Sequence, residues 1–205
     1  MLGISIDACY FVGDRRSPKC ATTIVADLID SSATDASGTG VTRIGVTGHR
    51  SLADPTSARR LCIDAITRVR ADRHAATIEI WSSLAEGSDR IVAELVPDHA
   101  DRLIAVLPLE ASDYRQDFST EASRARFDAL VAAAARVEIT GPDAGATRES
   151  AYERAGLVIV ERCDVLLALW DGEPGRGRGG TAEIVRAARE RGRIVMHVPV
   201  TRAPS

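Results

Sequence analysis

The chain is expected to form an α/β domain, a Rossmann-like, doubly wound and mostly parallel sheet of about six strands with helices on both faces. Three observations carry this expectation. Short β-rich runs alternate with longer segments whose apolar residues recur at helical spacing, from Val41 almost to the C-terminus. Runs such as VLLALW (Val165–Trp170) are apolar without interruption, as strands covered on both faces of a parallel sheet are. The intervening helices are long enough to serve as right-handed crossovers between parallel neighbours.

Taken in order, residues 1–40 read as an extension, flexible or loosely docked. Their apolar residues are scattered, and SSATDASGTG (Ser31–Gly40) has the composition of a linker. The domain is placed at 41–200, with 201–205 as a tail. RIGVT (Arg43–Thr47) is the first strand. The first helix follows, with Asp54 as N-cap, Pro55 at the first helical position, and Cys62, Ala65, Ile66 and Val69 on its inner face. TIEIWSS (Thr77–Ser83) is the second strand, and a helix opens at Ser88. RLIAVLPL (Arg102–Leu109) is the third strand, and Phe127, Leu130, Val131 and Ala134 mark the next helix. RVEIT (Arg136–Thr140) is the fourth strand, followed by the helix RESAYERAGLVIVER with Tyr152, Ala155, Gly156 and Ile159 on one face. DVLLALW (Asp164–Trp170) is the fifth strand, TAEIVRAARERG a helix that Gly192 can terminate, and RIVMHVPV the last strand.

Composition narrows the function classes. A formal net charge of −3, with 4% aromatic residues, offers neither a basic tract nor a stacking platform, which argues against nucleic acid as a partner. No apolar run approaches bilayer length, so no membrane partner is expected. The four cysteines, Cys9, Cys20, Cys62 and Cys163, show no metal-ligand spacing, nor do His74, His99 and His197; neither a metal nor a cofactor is expected. Reduced cytosol is the expected compartment, because no basic segment precedes an apolar core at the N-terminus.

In a doubly wound sheet, ligands sit beyond the carboxyl ends of the strands, so the loops after the strands are read together. The loop after the fifth strand is the barest: five glycines fall between Gly172 and Gly180, directly before Thr181. Free N–H groups at a helix N-terminus favour an anion, and absent side chains let it come close. Gly179, Gly180 and Thr181 are therefore phosphate-binding candidates, with Thr181 either capping the helix or donating to a phosphate oxygen. Arg176 and Arg178 can close over such a group or stay solvated. Thr47 and Gly48 form a second bare turn, followed by His49 and Arg50, a donor and a bidentate phosphate grip. It is not a G-x-G-x-x-G fingerprint, and no G-x-x-x-x-G-K-[ST] loop is present. The available acids are Glu86, Asp89, Asp171 and Glu183. Glu86 and Asp89 flank Gly87 and can cap the next helix instead, and Asp171, beside Gly172, can simply make its turn.

Together IGVTGHRSL, SSLAEGSDRIVAE, LPLEASDYRQDF, CDVLLALWDG and GRGGTAEIV resemble the SLOG superfamily, over about Val41–Val198. That group contains the LOG phosphoribohydrolases, DNA-processing protein A and molybdenum-cofactor carrier proteins, and the resemblance is strongest to a bacterial branch with this series of motifs. It implies a nucleotide or nucleotide-derived ligand, and relatives that assemble through helices flanking the site add a homodimer. LOG enzymes carry P-G-G-x-G-T-x-x-E; here Gly179, Gly180 and Thr181 match the phosphate cradle. The acid is Glu183, two residues after the threonine rather than three, which turns its carboxylate by about 100° on a helix. The preferred expectation is binding by a sensor or carrier. The alternative is an N-glycosidase that releases base from a nucleoside 5′-monophosphate, with Glu183 as catalytic residue.

Overall fold

The computed structural model describes residues 40–96, 100–141, 147–173 and 179–204. Residues 1–39 of the expected extension (1–40), His99 and the loop positions Gly175, Arg176, Gly177 and Arg178 lie outside these residues. The described chain runs β1 (Val41–Gly48), α1 (Pro55–Asp72), β2 (Thr77–Ser82), α2 (Ser88–Ala93), β3 (Arg102–Leu107), α3 (Ala111–Tyr114) and a 3₁₀ turn (Arg115–Asp117). It continues with α4 (Glu121–Ala133), β4 (Arg136–Ile139), α5 (Arg148–Arg162), β5 (Val165–Trp170), α6 (Thr181–Glu190) and β6 (Ile194–Pro199).

The six strands form one parallel sheet in the order β4-β3-β2-β1-β5-β6. The alternating α/β reading is thus met, and all six expected strands are present. The short α3 and its 3₁₀ turn were not foreseen, since seven residues are too few for a period to show.

Local chemistry sets the helix starts. The Asp54 carboxylate accepts from Ser57 N–H at 2.9 Å with Pro55 following, and Thr120 and Thr147 cap α4 and α5 in the same way. Gly192, at φ +67°, follows the end of α6 in the left-handed conformation that favours glycine.

The sheet is covered on both sides. One face of β1, β2, β3 and β5 (Ile44, Ile80, Leu107 and Leu167 among others) packs with residues of α1, α2 and α4, including Cys62, Ile66, Val92 and Phe127. The opposite face (Trp81, Ile104, Leu166, Ala168) packs with Ala155 and Ile159 of α5 and with Ile184 and Val185 of α6. Two glycines bring α5 in close. A Cβ on Gly45 would stand 2.7 Å from the Ile159 side chain, and one on Gly156 2.6 Å from that of Ile184.

Helices α1, α2 and α4 carry the chain outward from β1 to the edge strand β4. Then α5 returns it across the sheet to β5, which pairs on the other side of β1. Strand order therefore reverses between β1 and β5, and their carboxyl ends diverge there into a crevice. Residues 201–203 of the expected tail lie against this edge: Leu52 and Arg202 form an antiparallel bridge, Ala53 N–H donates to Thr201 O, and Ala203 N–H to Ser51 O. No helix among the described residues is long and apolar enough to cross a membrane.

Candidate functional site

The crevice holds a cavity of about 490 Å³, lined from the loops after β1, β2, β3 and β5, from one side of α5, and from residues 202–204. Its walls include eight of the sequence candidates: Thr47, Gly48, His49, Arg50, Asp89, Gly179, Gly180 and Thr181. Glu86, Gly87, Asp171, Gly172 and Glu183 stand outside the lining.

The β1 loop is built by close approach to α2. Backbone pairing with β5 runs past the strand end, with His49 N–H donating to Leu169 O at 3.1 Å. The His49 carbonyl accepts from the Ser88 N–H at 3.0 Å and the Ser88 hydroxyl at 2.8 Å. A Cβ on Gly48 would stand 2.5 Å from Ser88 Oγ and 2.6 Å from Leu169 O. One on Gly87 would stand 2.4 Å from Arg50 O. Gly87 also sits at φ +77°, ψ −119°, a backbone region open essentially to glycine alone. Both glycines are thus required by the contact between these two loops.

His49 is buried, and its ring joins the two sides of the crevice. Nε2 lies 3.0 Å from Asp171 Oδ2, and Nδ1 lies 3.3 Å from an Arg202 guanidinium nitrogen. Arginine can only donate, so Nδ1 accepts, while Nε2 faces both the Asp171 carboxylate and, at 3.2 Å, the Asp171 backbone N–H. Burial works against the Asp171 charge, but the Glu173 N–H, His49 and Arg202 hold its carboxyl below the usual range. Asp171 is therefore committed to this seam. Arg202 was missed because a five-residue C-terminal stretch shows no periodicity that would place it beside β1.

Arg50 is the exposed cation of the cleft. Its guanidinium carbon lies 5.3 Å from the Tyr152 ring centroid, and it forms no ion pair among the described residues. Tyr152 is fixed in turn. Its hydroxyl meets the Asp117 carboxylate and accepts from Arg148 Nε at 2.9 Å, while Arg148 also reaches Asp113 and Asp117. This cluster ties α3 and its 3₁₀ turn to the first turn of α5. The sequence pattern alone places Tyr152 only on an apolar helix face.

At the β2 loop, Glu86 receives the Ser123 hydroxyl, and Ser123 accepts from Arg90, whose guanidinium lies over the Phe118 ring. These contacts bind the loop to α4. Asp89 is buried beneath the same loop; its Oδ2 accepts from Ser83 Oγ at 2.7 Å and Ala85 N–H at 3.4 Å. Burial pushes the Asp89 carboxyl up, against the lowering pull of Ser83, the Ala85 N–H and Arg50.

The fourth wall is the N-terminus of α6. Gly179, at φ +73°, packs with its α-carbon against the α5 backbone: a Cβ there would stand 3.1 Å from Glu153 Cα. Glu183 turns back along the helix and accepts the Gly179 N–H at 2.6 Å. The next three N–H groups, of Gly180, Thr181 and Ala182, have no acceptor among the described residues, and all three residues line the cavity.

No family model and no curated protein matches the chain. Among solved structures, DNA processing protein A from Streptococcus pneumoniae superposes with a TM-score of 0.52 and 16% identity, covering 78% of this chain and 51% of that one. The protein of the same name from Helicobacter pylori, in a structure described as showing its single-stranded DNA binding mode, gives 0.53 and 15%, covering 77% and 65%. The chain thus spans between half and two thirds of each. It shares the Rossmann-like fold of these structures.

The expectation against nucleic acid is corrected by these findings, since that fold also serves a protein described as binding single-stranded DNA. The physical reason is local. Composition averages over the chain, whereas folding brings Tyr114, Tyr152 and Trp170 to one cleft together with Arg50 and Arg202.

Proposed function

We propose that the cleft binds a phosphate-bearing ligand of the nucleotide class, with its phosphate on the N–H groups of Gly180, Thr181 and Ala182 and its charge met by Arg50. The observation that carries this reading is the run of three unpaired N–H groups at a glycine-opened helix N-terminus, inside a cavity at the strand-order reversal. The helix dipole points its positive end at the same place. Thr47 and Gly48 complete the floor between the β1 and β5 loops. Binding without turnover is the favoured form, because Glu183 is engaged with Gly179 and outside the lining.

A second reading has its own support. The shared fold with DNA processing protein A, together with half-buried Tyr152 and Trp170 beside two arginines, favours a phosphate that belongs to a single strand. One experiment separates them. Nucleoside 5′-monophosphates and short single-stranded oligonucleotides are titrated into the protein, and released base is sought by mass spectrometry. Mononucleotide binding that is lost in Arg50→Ala supports the first reading. Binding of oligonucleotides alone moves the assignment to the second, and free base that vanishes in Glu183→Gln would make the protein an N-glycosidase. No binding by either probe class sinks the phosphate site.

A further inference from the structure

We infer that residues 201–204 are a strap over one wall of the cleft, latched while His49 is neutral and released when its ring takes up a proton. The inference concerns access to the cleft and needs no ligand, so it stands apart from the phosphate reading.

Few contacts hold the strap, although it carries Arg202, Ala203 and Pro204 onto the cavity wall. Two backbone bonds tie it to the loop after β1, Ala53 N–H to Thr201 O at 2.9 Å and Ala203 N–H to Ser51 O at 3.2 Å. No residue from 201 to 204 is fully buried, so little apolar surface adds to those bonds. The remaining hold is the Arg202 side chain. Its guanidinium forms one hydrogen bond among the described residues, to His49 Nδ1 at 3.3 Å. Its Nε is shut off from solvent without a hydrogen bond, 3.8 Å from Asp171 Oδ2. The cation is thus paired loosely with a carboxylate and bonded only to an imidazole.

That one acceptor exists in one protonation state. The neutral ring can present a lone pair at Nδ1, whereas the imidazolium carries N–H on both nitrogens. A protonated Nδ1 would face an arginine donor at 3.3 Å, so the bond is lost and two like charges are set against each other. Asp171 Oδ2, 3.0 Å from Nε2, can still accept from the protonated ring. The proton therefore breaks one side of the seam and keeps the other.

The other charged groups around His49 do not replace it as the switch. Burial works against the Asp171 charge, but the Glu173 N–H, His49 and Arg202 hold its carboxyl below the usual range, so it stays ionised. Arg50, the next residue, lies over the Tyr152 ring and keeps its charge. From α2, Ser88 meets only the His49 carbonyl, and Asp89 bonds Ser83 and Ala85. From β6, His197 Nε2 lies 2.8 Å from the Trp170 carbonyl, which can only accept. That nitrogen already carries its proton, so a second one on Nδ1 leaves the bond intact.

Amide hydrogen exchange of the full chain tests the latch, followed by NMR at about pH 8 and about pH 5, the range in which histidine changes charge, with each rate divided by its intrinsic value. The expected result is a fall of roughly 10-fold in the protection of the Ala53 and Ala203 N–H groups at the lower pH, matching the loss of one charge-assisted hydrogen bond. The Cys163 N–H, bonded to Ile159 O at 2.9 Å in the core, should keep its protection. His49→Asn offers Arg202 an amide oxygen that does not titrate in this range, and should abolish the step. Arg202→Ala removes the latch from the other side and should also abolish it, with both amides weakly protected throughout; it serves if His49→Asn does not fold. Equal protection at the two pH values in the unaltered protein overturns the inference. A step that persists in folded His49→Asn or in Arg202→Ala also overturns it, because another group would then be titrating.

Discussion

Gly87→Ala tests the central structural claim, that the cleft is assembled by locking the β1 loop onto the start of α2. The perturbation is one methyl group. It meets two costs that other glycines separate. Gly87 sits at φ +77°, ψ −119°, where a side chain carries backbone strain of about 1–3 kcal/mol. The added Cβ would also lie 2.4 Å from Arg50 O and 2.5 Å from His49 O, so backbone must move by about 1 Å to reach ordinary contact. Overpacking of this kind costs about 1–3 kcal/mol, and the His49 carbonyl cannot yield without weakening its two bonds from Ser88. The sum is about 4 kcal/mol, which for a domain of this size lowers Tm by roughly 8–16 °C. Gly192→Ala is the control. It has φ +67° with nothing within 4 Å of the added Cβ, so it carries only the left-handed backbone cost of about 1 kcal/mol. Thermal unfolding and urea titration of the two variants measure the difference. Equal losses for Gly87→Ala and Gly192→Ala would refute the interlocked-loop reasoning.

Arg50→Ala should weaken binding of a nucleoside monophosphate by roughly 10-fold while changing stability by less than about 0.5 kcal/mol, since the side chain is exposed and unpaired; calorimetry and a melting curve on one preparation check both halves. Asp89 should make a pH signature. Its carboxyl is raised by burial, so its contribution to stability is complete below the unfolded value of 3.8 and is lost as pH rises through the higher folded value. The Tm of the unaltered protein minus that of Asp89→Asn should therefore fall with increasing pH across that window. A difference that rises instead would mean the buried carboxylate is better compensated than the Ser83 and Ala85 contacts show.

Most of the fold was readable because its signals are local. Asp54-Pro55, the apolar face through Cys62, Ile66 and Val69, and the unbroken run Val165–Trp170 each reflect neighbours within one element. What places the site is non-local. The return of α5 from edge strand β4 to β5 decides that Tyr152 and Gly156 face the cleft, and strand order leaves no mark on spacing. Arg202 arrives from the far end of the chain through a single bridge to Leu52. The loops after the strands line the crevice, yet their residues divide by role. Gly48 and Gly87 are small because the two loops meet closely there, Glu86 ties the β2 loop to α4, and Asp171 holds a histidine. A list of polar loop residues cannot separate these from Arg50 or Thr181, because the sequence shows residue type and not which donors are already used.

Glu183 is where that distinction bears on chemistry. Thr181 opens α6, so Glu183 occupies the third helical position, from which a carboxylate reaches back to the N–H before the helix; it does so, to Gly179 at 2.6 Å. A phosphate held by Gly180, Thr181 and Ala182 would then stand near a second anion at one helix terminus. At about 6 Å even a water-like dielectric leaves roughly 0.7 kcal/mol of repulsion between single charges. Glu183→Gln keeps an acceptor for Gly179 and removes the charge, so phosphate-ligand affinity should rise about threefold while the turn holds. Glu183→Ala removes both, and should instead cost about 1 kcal/mol of stability and blur the cradle. If Glu183→Gln folds normally and binds more weakly than the unaltered protein, the carboxylate contacts the ligand, and a hydrolytic role for it returns.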